Sequence, residues 1–432
     1  KKVKKNNIFF GIKGKRIDGN KFANEAIKKG ASISVIDKNY GKKIKKKIKV
    51  KNTLKFFTEC ASKVRISSNI LAIGITGSAG KTSLKELLGQ SLSKIYNTTY
   101  SKKSFNNKYG VPISLFNIDK RNKFGVFEIG MDKKGEIDTL SKIVKPNVGI
   151  ITNISYAHSK NFNNLFSIAK AKSEIINNII ENGSIILNAD DRFYNYFKSK
   201  ALKRNLKIIS FSTKNKSNIK LEKVKSSKNI SNIKVNIFGK SRNFIVKRNL
   251  ESYVENMLAS LAVISNYLNI NIIRDKFFFN YNLPEGRGDY KYIKINKKKI
   301  HLIDESYNSN PLSLKFALNN FNKLRSQSKR KIILLGDMLE LGKFSKKLHL
   351  DAAKTINNSD INRVYVFGKK IIYTFNKIRP QKRGKILYSN KDVSNFLNND
   401  IKNGEYLMIK GSNSTGLNNI TKKLKLGNIN AI

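Results

Sequence analysis

The stretch "GITGSAGKTS", Gly74 to Ser83, follows the apolar run "NILAI" and leads into "LKELLGQSL". It has the order of a phosphate cradle, yet it misses the strict eight-residue pattern, because the position five before Gly80 is Ile75 rather than glycine. Gly77 and Gly80 would let the backbone approach phosphate oxygens. The following helix would offer free N–H groups and a positive dipole end, and Lys81 and Thr82 would supply a point charge and a metal-directed hydroxyl. The alternative is a glycine-rich turn with an exposed lysine. Buried strand, short loop, helix is the context a cradle requires, so ATP or GTP binding is the better reading.

Nucleotide chemistry needs Mg²⁺, which in turn wants a carboxylate near the loop. Glu128 in "FGVFEIGMD" stands at the end of an apolar run, where an unpaired glutamate would be costly, and is the first candidate ligand. His158 in "ITNISYAHSKNF" lies just past the next such run, on the same expected sheet edge. Position alone leaves it open between ligand and ordinary surface histidine.

Outward from the loop, "ILAIGIT", "FGVFEIG", "VGIITNI" and "GSIILNAD" alternate with helical stretches such as "SLKELLGQSLSKI" and "LFSIAKAKSEIINNII". That rhythm predicts a mainly parallel sheet covered by helices, with ligands at the carboxyl ends of the strands. Residues 1–68 read as a small α/β unit. Weak alternation between about 212 and 250 predicts extra antiparallel strands. After "NLPEGRGDY" a second alternating series, "KIHLIDES", "RKIILLGD", "RVYVFGK" and "GEYLMIKGS", predicts a Rossmann-like domain. The expected division is 1–68, 69–283 and 284–432.

The 432 residues suit about three domains. The formal charge of +57 raises the question of an anionic polymer as partner, but the lysines are scattered through every segment and no nucleic-acid-binding motif occurs. Cys60, the one cysteine, excludes an internal disulfide and is expected as a small buried hydrophobe in a reducing compartment. No apolar run approaches the ~18 residues of a membrane span, and no signal peptide opens the chain. A cytoplasmic protein without membrane insertion is expected. The chain enters a strand-like run at once and lacks an initial methionine, so an earlier segment is expected to be missing.

The run "TGSAGKTS", followed by "SFNNKYGVPISL", "VFEIGMDKKGEID", "KPNVGIITNISYAH", "SIAKAKSEI" and "ILNADD", resembles the central ATPase domain of the Mur ligase family of peptidoglycan synthesis. The resemblance continues through "EGRGDY", "IDESYNSNPLSL", "LLGDMLELG" and "MIKGS", and reaches back to "NNIFFGIKGKRIDGNKFANEAIKKGAS". It implies three α/β domains: a truncated N-terminal UDP-binding domain, a central P-loop ATPase domain with a mainly parallel sheet, and a C-terminal Rossmann-like domain. Within the family, "SYNSNP" and "GDMLELG" are similar to the member that adds D-alanyl-D-alanine to UDP-N-acetylmuramoyl-tripeptide through an acyl phosphate. The implied protein is a cytoplasmic monomer that binds no nucleic acid.

The resemblance also implies roles. Gly77, Ser78, Ala79, Gly80, Lys81, Thr82 and Ser83 would hold the ATP phosphates. Thr82 and Glu128 would bind one Mg²⁺, and His158 would join a second. Lys172 matches the family's carbamylated lysine, whose carbamate would bind metal where an ammonium would be repelled; on its own it reads as a solvated helix-face charge. Asn256 matches an adenine-side asparagine and Arg287 a hinge arginine directed to phosphate. Asp304, Asn308 and Asn310 match positions that close onto the nucleotide and the reacting centre. Asn106, Asn107, Lys410 and Ser412 would meet the peptide substrates. Three departures stand out. Ser252 and Tyr253 replace a usual histidine and asparagine, Glu305 replaces a second aspartate, and the arginine after Ser412 is absent. The uracil-contacting segment should lie just before the chain begins. The rival readings are a sister Mur ligase, a folylpolyglutamate synthase, or a basic nucleic-acid-binding ATPase.

Overall fold

The computed structural model describes residues 3–40, 43–324 and 329–427; the chain ends expected in the first and third domains, 1–2 and 428–432, lie outside these. Three sheets follow one another along the chain. The first is small and parallel: β1 (Ile8–Phe10), then α1 (Ala23–Lys28), β2 (Ile33–Asp37), β3 (Lys47–Val50) and α2 (Thr53–Ile66). Its core is thin, centred on Ala23, Ile36 and Ile44. Arg65, near the end of α2, anchors it by donating to the carbonyls of Val144 (2.8 Å) and Lys145 (3.0 Å) and to Asn147 Oδ1 (3.0 Å). Cys60 lies on α2 half-buried rather than enclosed, because α2 is amphipathic and the thiol falls beside its Ala61 core face.

The second sheet is built from β4 (Leu71–Thr76), α3 (Lys81–Leu92), β5 (Thr98–Tyr100), α4 (Gly110–Leu115), β6 (Phe124–Glu128), α5 (Glu136–Val144), β7 (Val148–Ile151), α6 (Leu165–Lys172), β8 (Ser184–Asn188), α7 (Tyr194–Leu202) and β9 (Lys207–Ser212). These strands are all parallel. An antiparallel meander of β10 (Ile219–Ser226), β11 (Ile230–Ile237) and β12 (Lys240–Lys247) extends one edge, and α8 (Val254–Tyr267) packs back over it. The order β12-β11-β10-β9-β8-β7-β4-β6-β5 puts β4 between β6 and β7. The connections leave β4 in opposite directions, which opens a crevice at the carboxyl ends of the strands. The expected helix over "LFSIAKAKSEIINNII" is shorter than its periodicity suggests. It tightens into a 3₁₀ turn at Ser173, whose hydroxyl bonds back to the Lys170 carbonyl at 2.7 Å.

The third sheet comprises β13 (Asp289–Ile295), β14 (Lys298–Glu305), α9 (Pro311–Lys323), β15 (Lys331–Gly336), α10 (Ser345–Asn357), β16 (Arg363–Phe367), α11 (Ile372–Lys377), β17 (Arg383–Leu387), α12 (Asn390–Asn395), β18 (Tyr406–Lys410) and α13 (Leu417–Lys425). Its order is β13-β14-β18-β15-β16-β17, parallel except for β13. Sequence reading starts this series at β14 and misses β13, because "DYKYIKI" buries only Ile293 and Ile295 and otherwise carries the Lys and Tyr of an exposed edge. No described helix is long and apolar enough to cross a membrane.

His349 on α10 is completely buried, with Nδ1 2.8 Å from the Ser345 carbonyl and Nε2 accepting the Met338 N–H at 3.1 Å. Those partners require a neutral ring protonated on Nδ1, and burial lowers its pKa below the ordinary 6.5. The unfolded chain therefore binds more protons than the folded one from 6.5 down to the depressed value, so acid favours unfolding. Urea denaturation should show stability falling as pH drops below about 6.5, and His349→Asn should flatten that slope.

Candidate active site

The turn after β4 is shaped by two glycines in the left-handed region. Gly77 has φ +147° and Gly80, which caps α3, has φ +81°. A Cβ on Gly77 would fall 1.8 Å from Thr152 Oγ1, so this close approach excludes any side chain. The segment after β7 holds the turn in place. Ser78 N donates to the Asn153 carbonyl (2.9 Å), Ala79 N to Asn153 Oδ1 (2.9 Å), and Thr152 Oγ1 to the Ala79 carbonyl (2.7 Å). Lys81 Nζ folds back to the Gly77 carbonyl at 2.7 Å. Burial, more than the neighbouring charges, lowers its pKa.

Beside the turn lies a buried hydroxyl–carboxylate pair. Thr82 Oγ1 donates to Glu128 Oε2 at 2.7 Å, and Asn106 Nδ2 donates to Glu128 Oε1 at 2.7 Å. Arg287 Nη2 reaches Thr82 Oγ1 at 3.0 Å, while the guanidinium lies over the Tyr307 ring at 4.2 Å. Among the described residues its buried Nε has no hydrogen-bond partner. Lys172, at the end of α6, is 1% exposed, and burial, with Lys81 nearby, pulls its pKa well below the lysine range. An orphaned guanidinium N–H and a buried unpaired amine both suit an anionic ligand. Thr82 and Glu128 suit a hard cation.

His158 has a left-handed backbone (φ 54°), and its Nδ1 lies 3.0 Å from Asp132 Oδ1 and 2.5 Å from Glu340 Oε2. Burial alone would lower its pKa, but the two carboxylates outweigh burial and the net direction is up. One ligand atom from each of these three residues lies within 4.8 Å of the others, a spacing open to a metal ion.

A cavity of about 850 Å³ collects nearly all the sequence-predicted residues: Ser78, Ala79, Gly80, Lys81, Thr82, Ser83, Asn106, Asn107, Glu128, His158, Lys172, Asn256, Arg287, Asn308, Asn310, Lys410 and Ser412. Gly77 lies behind the wall and acts through its carbonyl. Asp304 is the correction. It is buried on the far face of β14, accepting from Ser306 N (3.0 Å) and pairing with Lys425, so it is unavailable to a ligand in the cavity. Strand alternation turns the next residue, Glu305, into the cavity. There it pairs with Lys410 at 3.3 Å; burial raises its pKa and Lys410 opposes the shift.

Several assigned side chains are already engaged. Asn107 Oδ1 caps the start of α4 (3.0 Å to Gly110 N). Asn310 Oδ1 caps α9 (2.9 Å to Ser313 N), while its Nδ2 crosses to the Ser78 carbonyl at 3.2 Å. Ser412 Oγ accepts from Leu339 N at 2.9 Å. Tyr253, one of the departures, donates its hydroxyl to the Arg287 carbonyl. Sequence reading gave no role to Asp132, Glu340 or Tyr307. Glu340 stands in the quoted "GDMLELG", and Asp132 four residues past Glu128, but nothing local shows that they meet.

A P-loop on a mostly parallel sheet, with a buried carboxylate at its threonine and a second Rossmann-like sheet closing the same cavity, defines a nucleotide-dependent enzyme of the multidomain ligase type. The sequence matches the Mur ligase middle domain over residues 75–264 and the Mur ligase, glutamate ligase domain over residues 291–413. The chain belongs to the Mur ligase family. It is 33% identical to the UDP-N-acetylmuramoyl-tripeptide–D-alanyl-D-alanine ligase of Buchnera aphidicola subsp. Baizongia pistaciae, covering 96% of this chain and 89% of that one. Its fold is similar to that of MurF from Acinetobacter baumannii (TM-score 0.87, 25% identity, 98% and 91% of the two chains). It is also similar to the fold of the MurF ligase from Thermotoga maritima solved with ADP (TM-score 0.85, 21% identity, 100% and 96%).

Gly77→Ala should leave the protein folded but weaken nucleotide binding at least about tenfold, since the added methyl must displace Thr152 and a left-handed backbone already costs ~1–3 kcal/mol. Isothermal titration with ADP and Mg²⁺ checks this.

Proposed function

We propose that the chain is an ATP-dependent ligase that joins D-alanyl-D-alanine to UDP-N-acetylmuramoyl-tripeptide, acting as a cytoplasmic monomer in peptidoglycan precursor synthesis. The observation that carries the reading is the shared cavity, in which Lys81, Thr82, Glu128, His158 and Lys172 of the central sheet face Asn308 and Lys410 of the C-terminal sheet. The names of the relatives supply the substrates.

In this reading a terminal carboxylate oxygen of the tripeptide attacks the γ-phosphorus of ATP. The bond to ADP breaks and an acyl phosphate forms. The amine of D-alanyl-D-alanine then attacks the acyl carbon, loses a proton and expels inorganic phosphate, leaving an amide. Lys81 and Arg287 neutralise charge on the transferring phosphoryl group, where most catalysis of phosphoryl transfer arises. Thr82 and Glu128 would hold one Mg²⁺, and His158 with Lys172 a second; the ions would neutralise phosphate oxygens and orient them. Glu128 is aimed by hydrogen bonds from Thr82 and Asn106. The C-terminal sheet, docked through Asn310 and Glu340, excludes water that would hydrolyse the acyl phosphate.

Lys172 fits carbamylation. Its buried amine is held toward the neutral, nucleophilic form, which can attack CO₂, lose a proton and become a carbamate. That exchanges a neutral amine for an anion able to bind metal.

ADP release should require ATP, Mg²⁺, the UDP-linked tripeptide and D-alanyl-D-alanine together. Turnover that ignores the dipeptide would sink the reading, and stimulation by polynucleotide would favour the nucleic-acid ATPase. Lys172→Ala should lower kcat by about 100-fold or more, with partial recovery on adding formate or acetate. Full activity in that variant would remove the carbamate.

A further inference from the structure

The segment carrying His158 meets the "GDMLELG" turn of the C-terminal sheet across the cleft. Lys160 N donates to the Glu340 carbonyl at 2.9 Å and Ser159 Oγ to the Leu341 carbonyl at 3.2 Å. The Tyr156 and Phe344 rings approach to 4.7 Å. Gly342 comes so close that a Cβ there would lie 2.7 Å from Lys160 Cα. His158 and Glu340 both hold left-handed backbones, φ 54° and 62°, which is uncommon for residues with side chains. Two such residues facing each other mark a contact that the surrounding structure imposes.

At its centre the buried Nδ1 of His158 sits between carboxylates from two different domains, 3.0 Å from Asp132 Oδ1 and 2.5 Å from Glu340 Oε2. Among the described residues, Nε2 has no partner. A neutral imidazole has one donor and one acceptor nitrogen, and the group gripping one nitrogen decides which face the other presents to a metal. Asp132 belongs to the same sheet as His158 and is at hand in any arrangement of the domains. Glu340 is present only when the C-terminal sheet is docked.

We propose that Glu340 is a positioning residue that arrives on closure: with Asp132 it fixes the proton of His158 on Nδ1 and leaves Nε2 to the divalent cation. This rests on the ligase reading above. It adds a coupling that reading does not contain, since the P-loop donors can hold nucleotide in an open cleft while the histidine half of the cation site is completed only by docking. Phosphoryl transfer would then wait until the cleft is closed to water.

The test uses the full chain with Mn²⁺ as the paramagnetic probe and the non-hydrolysable analogue AMP-PNP, following bound Mn²⁺ by electron paramagnetic resonance beside steady-state ligation. Glu340 is 41% exposed, so truncation empties no core. Glu340→Ala should weaken the second, nucleotide-dependent Mn²⁺ by about tenfold or more and lower kcat similarly, with KM for ATP and the thermal midpoint unchanged. Glu340→Gln, whose amide oxygen still accepts from Nδ1–H, should restore most of both. Wild-type Mn²⁺ affinity in Glu340→Ala would overturn the proposal. So would Glu340→Gln being as weak as Glu340→Ala, since the carboxylate would then be a ligand itself. Failure of the ligase reading shows separately, as wild-type enzyme that releases no ADP with both substrates present.

Discussion

A buried amine without a counter-ion organises this molecule. Lys172 ends α6 inside the protein, and among the described residues it has neither a carboxylate nor a hydrogen-bond acceptor within reach. A charged lysine cannot remain so cheaply: it gives up its proton or meets an anion. Lys81, Arg287 and Lys410 line the same cavity, and among the described residues Lys410 alone of the three forms an ion pair, with Glu305. The lining is mixed: Glu128, Asp132, Glu136, Glu255, Glu305 and Glu340 share the cavity with Lys81, Lys108, Lys172, Arg287 and Lys410. Glu128 takes the Thr82 hydroxyl at 2.7 Å, and its charge also acts on the buried Lys81.

Topology explains why these groups meet. The loops following β4, β6 and β7 leave neighbouring strand ends, so Lys81, Asp132 and His158 rise from one sheet edge although 77 residues separate the first from the last. The C-terminal sheet brings its own strand ends, Glu305 on β14 and Lys410 on β18, to the opposite wall. Few atoms hold the two walls together. Asn310 reaches the Ser78 carbonyl, and the 340–344 turn leans on residues 156–160. Tyr156 is the apolar part of this contact, packed against the cores of both sheets.

The cradle was legible because its chemistry is local: glycines, lysine and threonine must follow a strand and open a helix. Glu128 was legible for the same reason, as a carboxylate ending an apolar run. Asp304 was misplaced because adjacent acids on a strand point to opposite faces, and the choice depends on Lys425, more than a hundred residues away. Asn310 and Ser412 do face the cavity, yet much of their hydrogen-bonding capacity goes into a helix cap and a turn, a distinction that residue type does not carry. Asp132 and Glu340 were silent because their meaning exists only in their contact with each other across His158.

The departure at Tyr253 bears on how the walls are joined. Its hydroxyl holds the Arg287 carbonyl, its ring meets Tyr281 edge-on at 6.0 Å, and Tyr281 donates to the Ser83 carbonyl on α3 at 3.0 Å. Arg287 itself reaches Thr82. The linker is thus tied to the P-loop helix up to Arg287, on the side of the central sheet. The C-terminal domain holds the other side of the same segment: Tyr307 N donates to the Gly286 carbonyl at 3.1 Å, Gly288 N donates to the Asp304 carbonyl at 2.8 Å, and the Arg287 guanidinium lies over the Tyr307 ring. A tyrosine at 253 therefore ties this segment to the P-loop helix while the residues on either side of Arg287 pair with the C-terminal sheet, so the chain between the two sheets is gripped from both walls at one point.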